Sequence, residues 1–345
     1  MKAAFITQHG DPEKIQIGEL DTPQIGPNEI LIETRFGALN HIDLFVVKGW
    51  PGLSLKMPHV LGSDGSGIVE EIGSEVTTLE KGDRVSINPG ISCGKCVMCL
   101  AGKQNFCDEF SILGENQWGT FAEHIKVPEI NAIKIPTDFT LIKAAAAPLT
   151  FLTAWRMLVS RAKIQHHDVV FIPGAGGGVA TAAIQIAKFF EAEVITSTST
   201  QEKMERAKMI GADHVINYKE RPDFEKYIYT ELTKKKGVDI VIDSVGHETF
   251  QKSIRLLKPG GRLITCGATT GPKSQIDIRH IFWKQLKIKG STMSNQKEFR
   301  DVMNLVFSDK ITPVIDRTYN LDEIVEAEKY LGKANQFGKV ILKIS

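Results

Sequence analysis

The chain reads as a two-domain α/β protein, with a β-rich domain formed by residues 1–150 and 290–345 and a doubly wound parallel sheet over 151–289. Three observations lead there. From Asp168 onward, short apolar runs alternate with helix-length segments, a pattern that lays parallel strands under helices on both faces. Before residue 150, segments of β character such as EILIETRFGAL and SGIVEEIG are separated by Gly, Pro, Asn and Asp turns. Finally, 345 residues with 42% hydrophobic content fill two cores at the usual ~100–200 residues per domain.

At the N-terminus, MKAAFITQHGDPEK turns polar after six residues, too soon for a secretory apolar region. No later stretch offers the roughly 20 apolar residues of a bilayer span, so a cytoplasmic chain with no membrane partner is expected. Forty-two Lys and Arg against forty-one Asp and Glu leave a formal charge of +1, too weak a field for nucleic acid. Small-molecule chemistry remains.

Within the β-rich domain, residues 93–107 (CGKCVMCLAGKQNFC) hold four of the five cysteines. In a reducing compartment such clustering favours a metal. Cys93, Cys96, Cys99 and Cys107 supply the four thiolates that close a tetrahedron around one Zn²⁺ at ~2.3 Å, with no position left for water or substrate. Two disulfides, a redox CxxC and an iron–sulfur cluster are the alternatives.

At 168, DVVFIPGAGGGVATAAIQIAKFF opens the second domain as strand, glycine turn and helix, followed by the strand EVITST. Gly174, Gly177 and Gly178, with Val179 at the helix start, permit a tight turn whose backbone N–H groups meet a pyrophosphate. The pattern continues with a helix at 201–210, a short strand around 214–216, a helix near 223–234, the strand VDIVIDSV, a helix near 249–257 and the strand GRLITCG. A dinucleotide is the implied ligand. NAD sites usually carry an acid ~20 residues past the turn to take the ribose 2′-OH. Here the second strand ends in Thr196-Ser197-Thr198-Ser199-Thr200. With no acid, Thr198, Ser199 and Lys203, with Tyr218 beyond, suit a 2′-phosphate and hence NADP(H). Val245, Cys266 and Gly267 fall at the ends of later strands, where ligands of open α/β sheets collect. The tail adds helices around 297–307 and 321–331 and the strand FGKVILKI, expected back in the first domain.

In order along the chain, LNHIDLFVVKG, PHVLGSDGSGIVEEIG, KGDRV, the four-cysteine segment, APLTFLTAW, the glycine turn, GADHVINY, PGGRLITCG and FGKVIL resemble the medium-chain dehydrogenase/reductase superfamily. That superfamily includes zinc alcohol dehydrogenases and the quinone oxidoreductase and enoyl reductase branch. The resemblance implies a GroES-like β domain, a Rossmann domain, a cleft between them, a homodimer or homotetramer, and a cysteine lobe whose zinc is structural. It also implies a nicotinamide contact at Thr153 and closure over the cofactor by Phe337, Gly338 and Lys339.

The zinc alcohol dehydrogenases of this family add a catalytic zinc held by a Cys, a His and a further Cys or acid. This chain has Asn40, Ser63 and Leu149 at those places, and Ile42 where a hydroxyl would relay the alcohol proton. Catalytic zinc needs about three protein ligands and an open position, so the expected reaction is one that runs without it. Hydride acceptors that are already electrophilic meet that condition: quinones and α,β-unsaturated carbonyls, whether enone, enal or enoyl thioester. Asn40 is expected to donate to the developing oxyanion or position the nicotinamide, Asp43 to organise the loop, and His41 to touch phosphate or donate a proton. Trp50, Trp118 and Trp283 are candidate pocket walls. Two other readings stand beside this one. One is a zinc-dependent alcohol dehydrogenase rebuilt on His41, His59, Asp64 or His124, and the other is a non-enzymatic NADPH-binding redox sensor.

Overall fold

In the computed structural model, which describes residues 1–345, the strand Val169–Pro173 lies at the centre of a six-stranded sheet. The neighbours run His214–Asn217, Glu193–Thr198, Val169–Pro173, Val238–Asp243, Leu257–Thr265 and Lys287–Gly290, all parallel. Numbered along the chain this is the order 3-2-1-4-5-6 of a doubly wound dinucleotide fold. Phe171, Ile195, Val241 and Leu263 are fully buried in one cluster, as central strands covered on both faces require. The unit comprises Thr153–Thr292, and Met1–Leu152 with Met293–Ser345 forms the other.

Two helical segments of the first of these units depart from the sequence expectation. The helix expected near 223–234 is Phe224–Tyr227 continued by a wider turn through Ile228–Leu232. It ends where Lys234 and Lys235 take positive φ of 49° and 64°, a left-handed reversal that the lysine run itself did not signal. Trp283, expected on a pocket wall, lies on the short helix Arg279–Trp283 and is 83% exposed.

The other unit is built on Glu29–Ala38, whose branched, apolar alternation suits a half-buried strand. It pairs antiparallel with Asp64–Ile72 on one side and with the C-terminal strand Lys339–Lys343 on the other, so that Asp64, Ala38 and Ile341 lie in one row. Arg84–Ile87, Ala132–Lys134, His124–Pro128 and Ile315–Asn320 complete that sheet. The helices His41–Lys48 and Ile324–Gly332 bury Val46, Val47, Ile324, Ala327 and Leu331 in a common cluster with Val340 and Leu342. At ~25 cal/mol per Å² of apolar surface removed from water, each of the buried Val, Ile and Leu side chains contributes about 1.5–3 kcal/mol, which fixes the first helix beneath the loop that precedes it.

Candidate functional site

The four cysteines converge. Their Sγ atoms all lie within 4.8 Å of one another, with Cys93 to Cys107 at 3.5 Å and Cys93 to Cys99 at 3.9 Å. Ligands at ~2.3 Å on a tetrahedron stand about 3.8 Å apart, so this spacing fits one Zn²⁺, and no pair is at disulfide distance. Backbone N–H groups of Lys95 and Cys96 aimed at the Cys93 sulfur lower its pKa to about 7, favouring the thiolate a metal needs. Val97 to Leu100 form one helical turn capped by the Cys96 sulfur, which holds Cys99 in place.

A second constellation forms where Glu29–Ala38 runs into Leu39 and Asn40. Because Asp64 and the C-terminal strand flank Ala38 on opposite sides, the side chain of Lys339 reaches across. Its Nζ donates to Asn40 Oδ1 at 2.6 Å, Leu39 O at 2.8 Å and Asp64 Oδ2 at 2.9 Å. Asn40 Nδ2 donates to Asp64 Oδ2 at 2.9 Å and to Ala38 O at 3.2 Å, and Leu149 N donates to Asp64 Oδ1 at 2.7 Å. Asp64 is fully buried, and Lys339 and Asn40 nearly so. Asp43, one turn into the helix, accepts Asn40 N at 2.7 Å and ties the loop to the helix start.

This geometry corrects two expectations. Asn40 cannot stabilise an oxyanion, because both amide protons already serve Ala38 and Asp64. Lys339, expected to close over the cofactor, instead gives its three donors to three buried oxygens. Phe337 is likewise fully buried, and Gly338 at φ 102° brings Val314 O within 2.3 Å of where a Cβ would sit, so its role is close strand packing. His41 differs: its ring makes no hydrogen bond within the chain, and burial, then the Lys339 ammonium, lower its pKa, leaving a neutral imidazole at pH 7.

The places where a catalytic zinc would find ligands do not suit one. Asn40 Oδ1 and Asp64 face an ammonium, Leu149 offers only its backbone N–H, and the buried Ser63 hydroxyl has no partner. No thiolate or imidazole joins them, and a bound cation would meet the Lys339 charge at close range. Substitute ligands do not converge either. His59 bonds Gly114 O at 3.0 Å, His124 pairs with Glu70 at 2.8 Å, and the cysteines are the one set of three or more such groups within reach of a common ion.

In the parallel-sheet unit, Gly174 at φ 80° turns the chain from Val169–Pro173 into the helix Gly178–Phe189. Gly177 at the helix start has no side-chain cap, and a Cβ there would meet only Gly174 O at 3.6 Å. The N–H groups of Gly178 and Val179 are thus left for an anion, as a dinucleotide pyrophosphate requires. Thr198 ends the adjacent strand, and Tyr218 N donates to Thr198 O at 3.0 Å, which sets Tyr218 beside it, 41% exposed. Ser199 follows Thr198 directly, Thr200 caps the next helix through Lys203 N, and the Lys203 side chain is buried. The fit to a dinucleotide therefore rests on the glycine turn, beside a strand end that bears hydroxyls and no acid.

Beyond these, Thr153 is buried on Pro148–Trp155. Val245, Cys266 and Gly267 gather at the carboxyl ends of Val238–Asp243 and Leu257–Thr265, where Cys266 N meets Asp243 O at 3.4 Å. Burial, then the Asp243 charge, push the Cys266 thiol up to about 12, so it is a packing group and no nucleophile. Asp243 itself escaped sequence reasoning. It accepts from Val245 N, Gly246 N, Thr249 Oγ1 and Ser253 Oγ and so shapes the turn carrying Val245. Thr and Ser six and ten residues past a strand-end Asp were the available signal. Trp118, expected on a wall, instead donates Nε1 to Pro58 O at 3.0 Å, and Trp50 is 39% exposed.

A GroES-like sheet with a tetracysteine lobe, joined in one chain to a doubly wound sheet with a glycine turn, defines a dinucleotide-dependent oxidoreductase. Residues 26–137 match the alcohol dehydrogenase GroES-like domain and 178–308 the zinc-binding dehydrogenase domain. An acryloyl-coenzyme A reductase of Sulfurisphaera tokodaii is 32% identical over 99% of this chain and 100% of its own. The crystal structure of an NAD-dependent alcohol dehydrogenase, 40% identical, superposes with a TM-score of 0.96 over 100% of both chains. A crotonyl-CoA carboxylase/reductase structure, 27% identical, gives 0.92 over 99% of this chain and 88% of that one. The chain belongs to the medium-chain dehydrogenase/reductase superfamily.

Proposed function

We propose that this oxidoreductase uses NADPH to reduce a quinone or an α,β-unsaturated carbonyl (enone, enal or enoyl thioester) without a catalytic metal, its one zinc being structural. The observation that carries the proposal is the Lys339 ammonium, which takes up Asn40, standing where a catalytic zinc would find a ligand, and Asp64, a substitute candidate. An acceptor that needs no Lewis acid is the chemistry such a site can serve. The relatives lean both ways, with an acryloyl-coenzyme A reductase and a crotonyl-CoA carboxylase/reductase on one side and the 40% identical NAD-dependent alcohol dehydrogenase on the other.

When bound, NADPH would supply a hydride equivalent to an electrophilic acceptor carbon, and the acceptor oxygen would need a hydrogen-bond donor and a proton. Gly174, Gly177, Gly178 and Val179 hold the pyrophosphate at the helix start. Thr198 and Ser199 offer hydroxyls to the 2′-phosphate, joined by Tyr218 and by the Lys203 charge nearby. Thr153, Val245, Cys266 and Gly267 flank the nicotinamide end. Asp43, Asn40, Asp64 and Lys339 keep the loop fixed, and His41, neutral and unbonded, is the group in that loop with an N–H to give to an oxyanion or phosphate.

The test is NADPH oxidation against a panel of quinones, enals and enoyl thioesters, run beside alcohols with NADP⁺. Turnover on the electrophiles supports the proposal, and turnover on alcohols alone overturns it. NADPH binding with no turnover on any of them would instead favour the redox sensor, to which the high pKa of Cys266 already speaks against a thiol mechanism.

A further inference from the structure

Val238–Asp243 lies next to Val169–Pro173, so Asp243 ends the strand on the far side of the point where the order of the parallel sheet reverses. Ligands of such sheets bind outside the carboxyl ends of the strands at that point. The Asp243 side chain is fully buried there. Its Oδ1 accepts Val245 N at 2.9 Å and Gly246 N at 3.0 Å, and its Oδ2 accepts Thr249 Oγ1 and Ser253 Oγ, each at 2.8 Å. Backbone N–H groups can only donate, so this set suits a carboxylate rather than a carboxylic acid. All four donors are neutral, whereas the buried Asp64 has the Lys339 ammonium and Asp168 the Arg262 guanidinium. Asp243 is a buried anion with no counter-ion.

That charge is fixed against the segments that border the strand ends. Val245 Cγ2 lies 3.4 Å from where a Cβ on Gly174 would sit, so the turn bonded to the carboxylate packs on the dinucleotide turn. The loop after Cys266 closes on the same turn. Thr270 N and Thr270 Oγ1 donate to Val245 O at 2.9 and 2.8 Å, and Thr269 Oγ1 donates to Ser244 O at 3.0 Å. Gly246, at φ 89°, sits so close that a Cβ would meet Ala268 Cα at 2.8 Å.

We propose that Asp243 is a positioning residue whose buried, uncompensated charge favours the oxidised, positively charged nicotinamide over the neutral reduced one. The inference rests on the reading above that sets Val245, Cys266 and Gly267 at the nicotinamide end. Hydride loss breaks a C–H bond, passes its electron pair to the acceptor carbon and leaves the ring cationic, and a fixed anion favours positive charge that develops beside it. The same field acts within the chain: burial, then the Asp243 charge, raise the pKa of the Cys266 thiol, and what disfavours a thiolate there favours a cation.

The test compares the dissociation constants of NADP⁺ and NADPH by calorimetry on the full chain. Asp243→Asn keeps the shape and removes the charge, and should weaken NADP⁺ relative to NADPH by at least about fivefold. Asp243→Glu keeps the charge and should hold the wild-type ratio. Ser253→Ala, which loosens the turn and leaves the charge, should weaken both forms alike. In wild type, where no question of folding arises, NADP⁺ should bind at least as tightly as NADPH. A ratio unmoved by Asp243→Asn, or NADPH as the tighter ligand of wild type, would overturn the charge preference alone. The same comparison with NAD⁺ and NADH applies if that pair is the one bound. Binding of neither pair would overturn the dinucleotide reading and this inference together.

Discussion

Lys339 shows how one side chain redirects a site. Its ammonium and the Asp64 carboxylate are both buried, at 2.9 Å, and truncating one member of such a pair leaves the other uncompensated at a cost of about 3–5 kcal/mol. Lys339→Met should therefore lower stability by about that much in denaturant titration, with the zinc content of the cysteine lobe unchanged. His41→Ala, which removes the unbonded neutral ring, should lower kcat/KM by about 10²-fold with little change in melting temperature. If activity survives, the loop contributes no donor to the reaction. The residue scale is also where sequence reading was weakest. Asn40, Asp64 and Lys339 were each visible, but 275 residues separate the last two, and only strand register makes them partners.

At the scale of elements the sequence was more legible. The strand, glycine turn and helix from Asp168 and the alternation after it gave the parallel sheet, because period and punctuation are local properties. The tetracysteine lobe was equally readable, since its spacing alone nearly closes the metal site. Strand order was not local: the last strand was expected back in the first domain, but its pairing with Glu29–Ala38 was not legible, because register between distant strands leaves no mark on either segment. Within the dinucleotide turn, Gly174 has φ 80°, and a side chain there would adopt the left-handed conformation at roughly 1–2 kcal/mol and meet Val245 Cγ2 at 3.4 Å. Gly174→Val is expected to weaken NADPH binding at least tenfold by calorimetry. An unchanged Kd would show that the turn does not carry the pyrophosphate.

For the molecule as a whole, two properties define the account: which nicotinamide cofactor it uses, and how many metal ions it holds. The strand ending in Thr198-Ser199-Thr200 predicts a higher kcat/KM with NADPH than with NADH, and Thr198→Asp should shift that preference towards NADH by placing an acid where a ribose 2′-OH would be read. Equal rates for both cofactors in the wild type would remove the argument from the missing acid. The central claim concerns metal, because the reading of the reaction follows from a site where an ammonium replaces a catalytic ion. Zinc per chain, determined by elemental analysis on freshly purified protein, tests it most directly. One zinc per chain, lost when the four cysteines are replaced by serine, is the predicted result, and a second zinc whose removal by mild chelation abolishes turnover would contradict it.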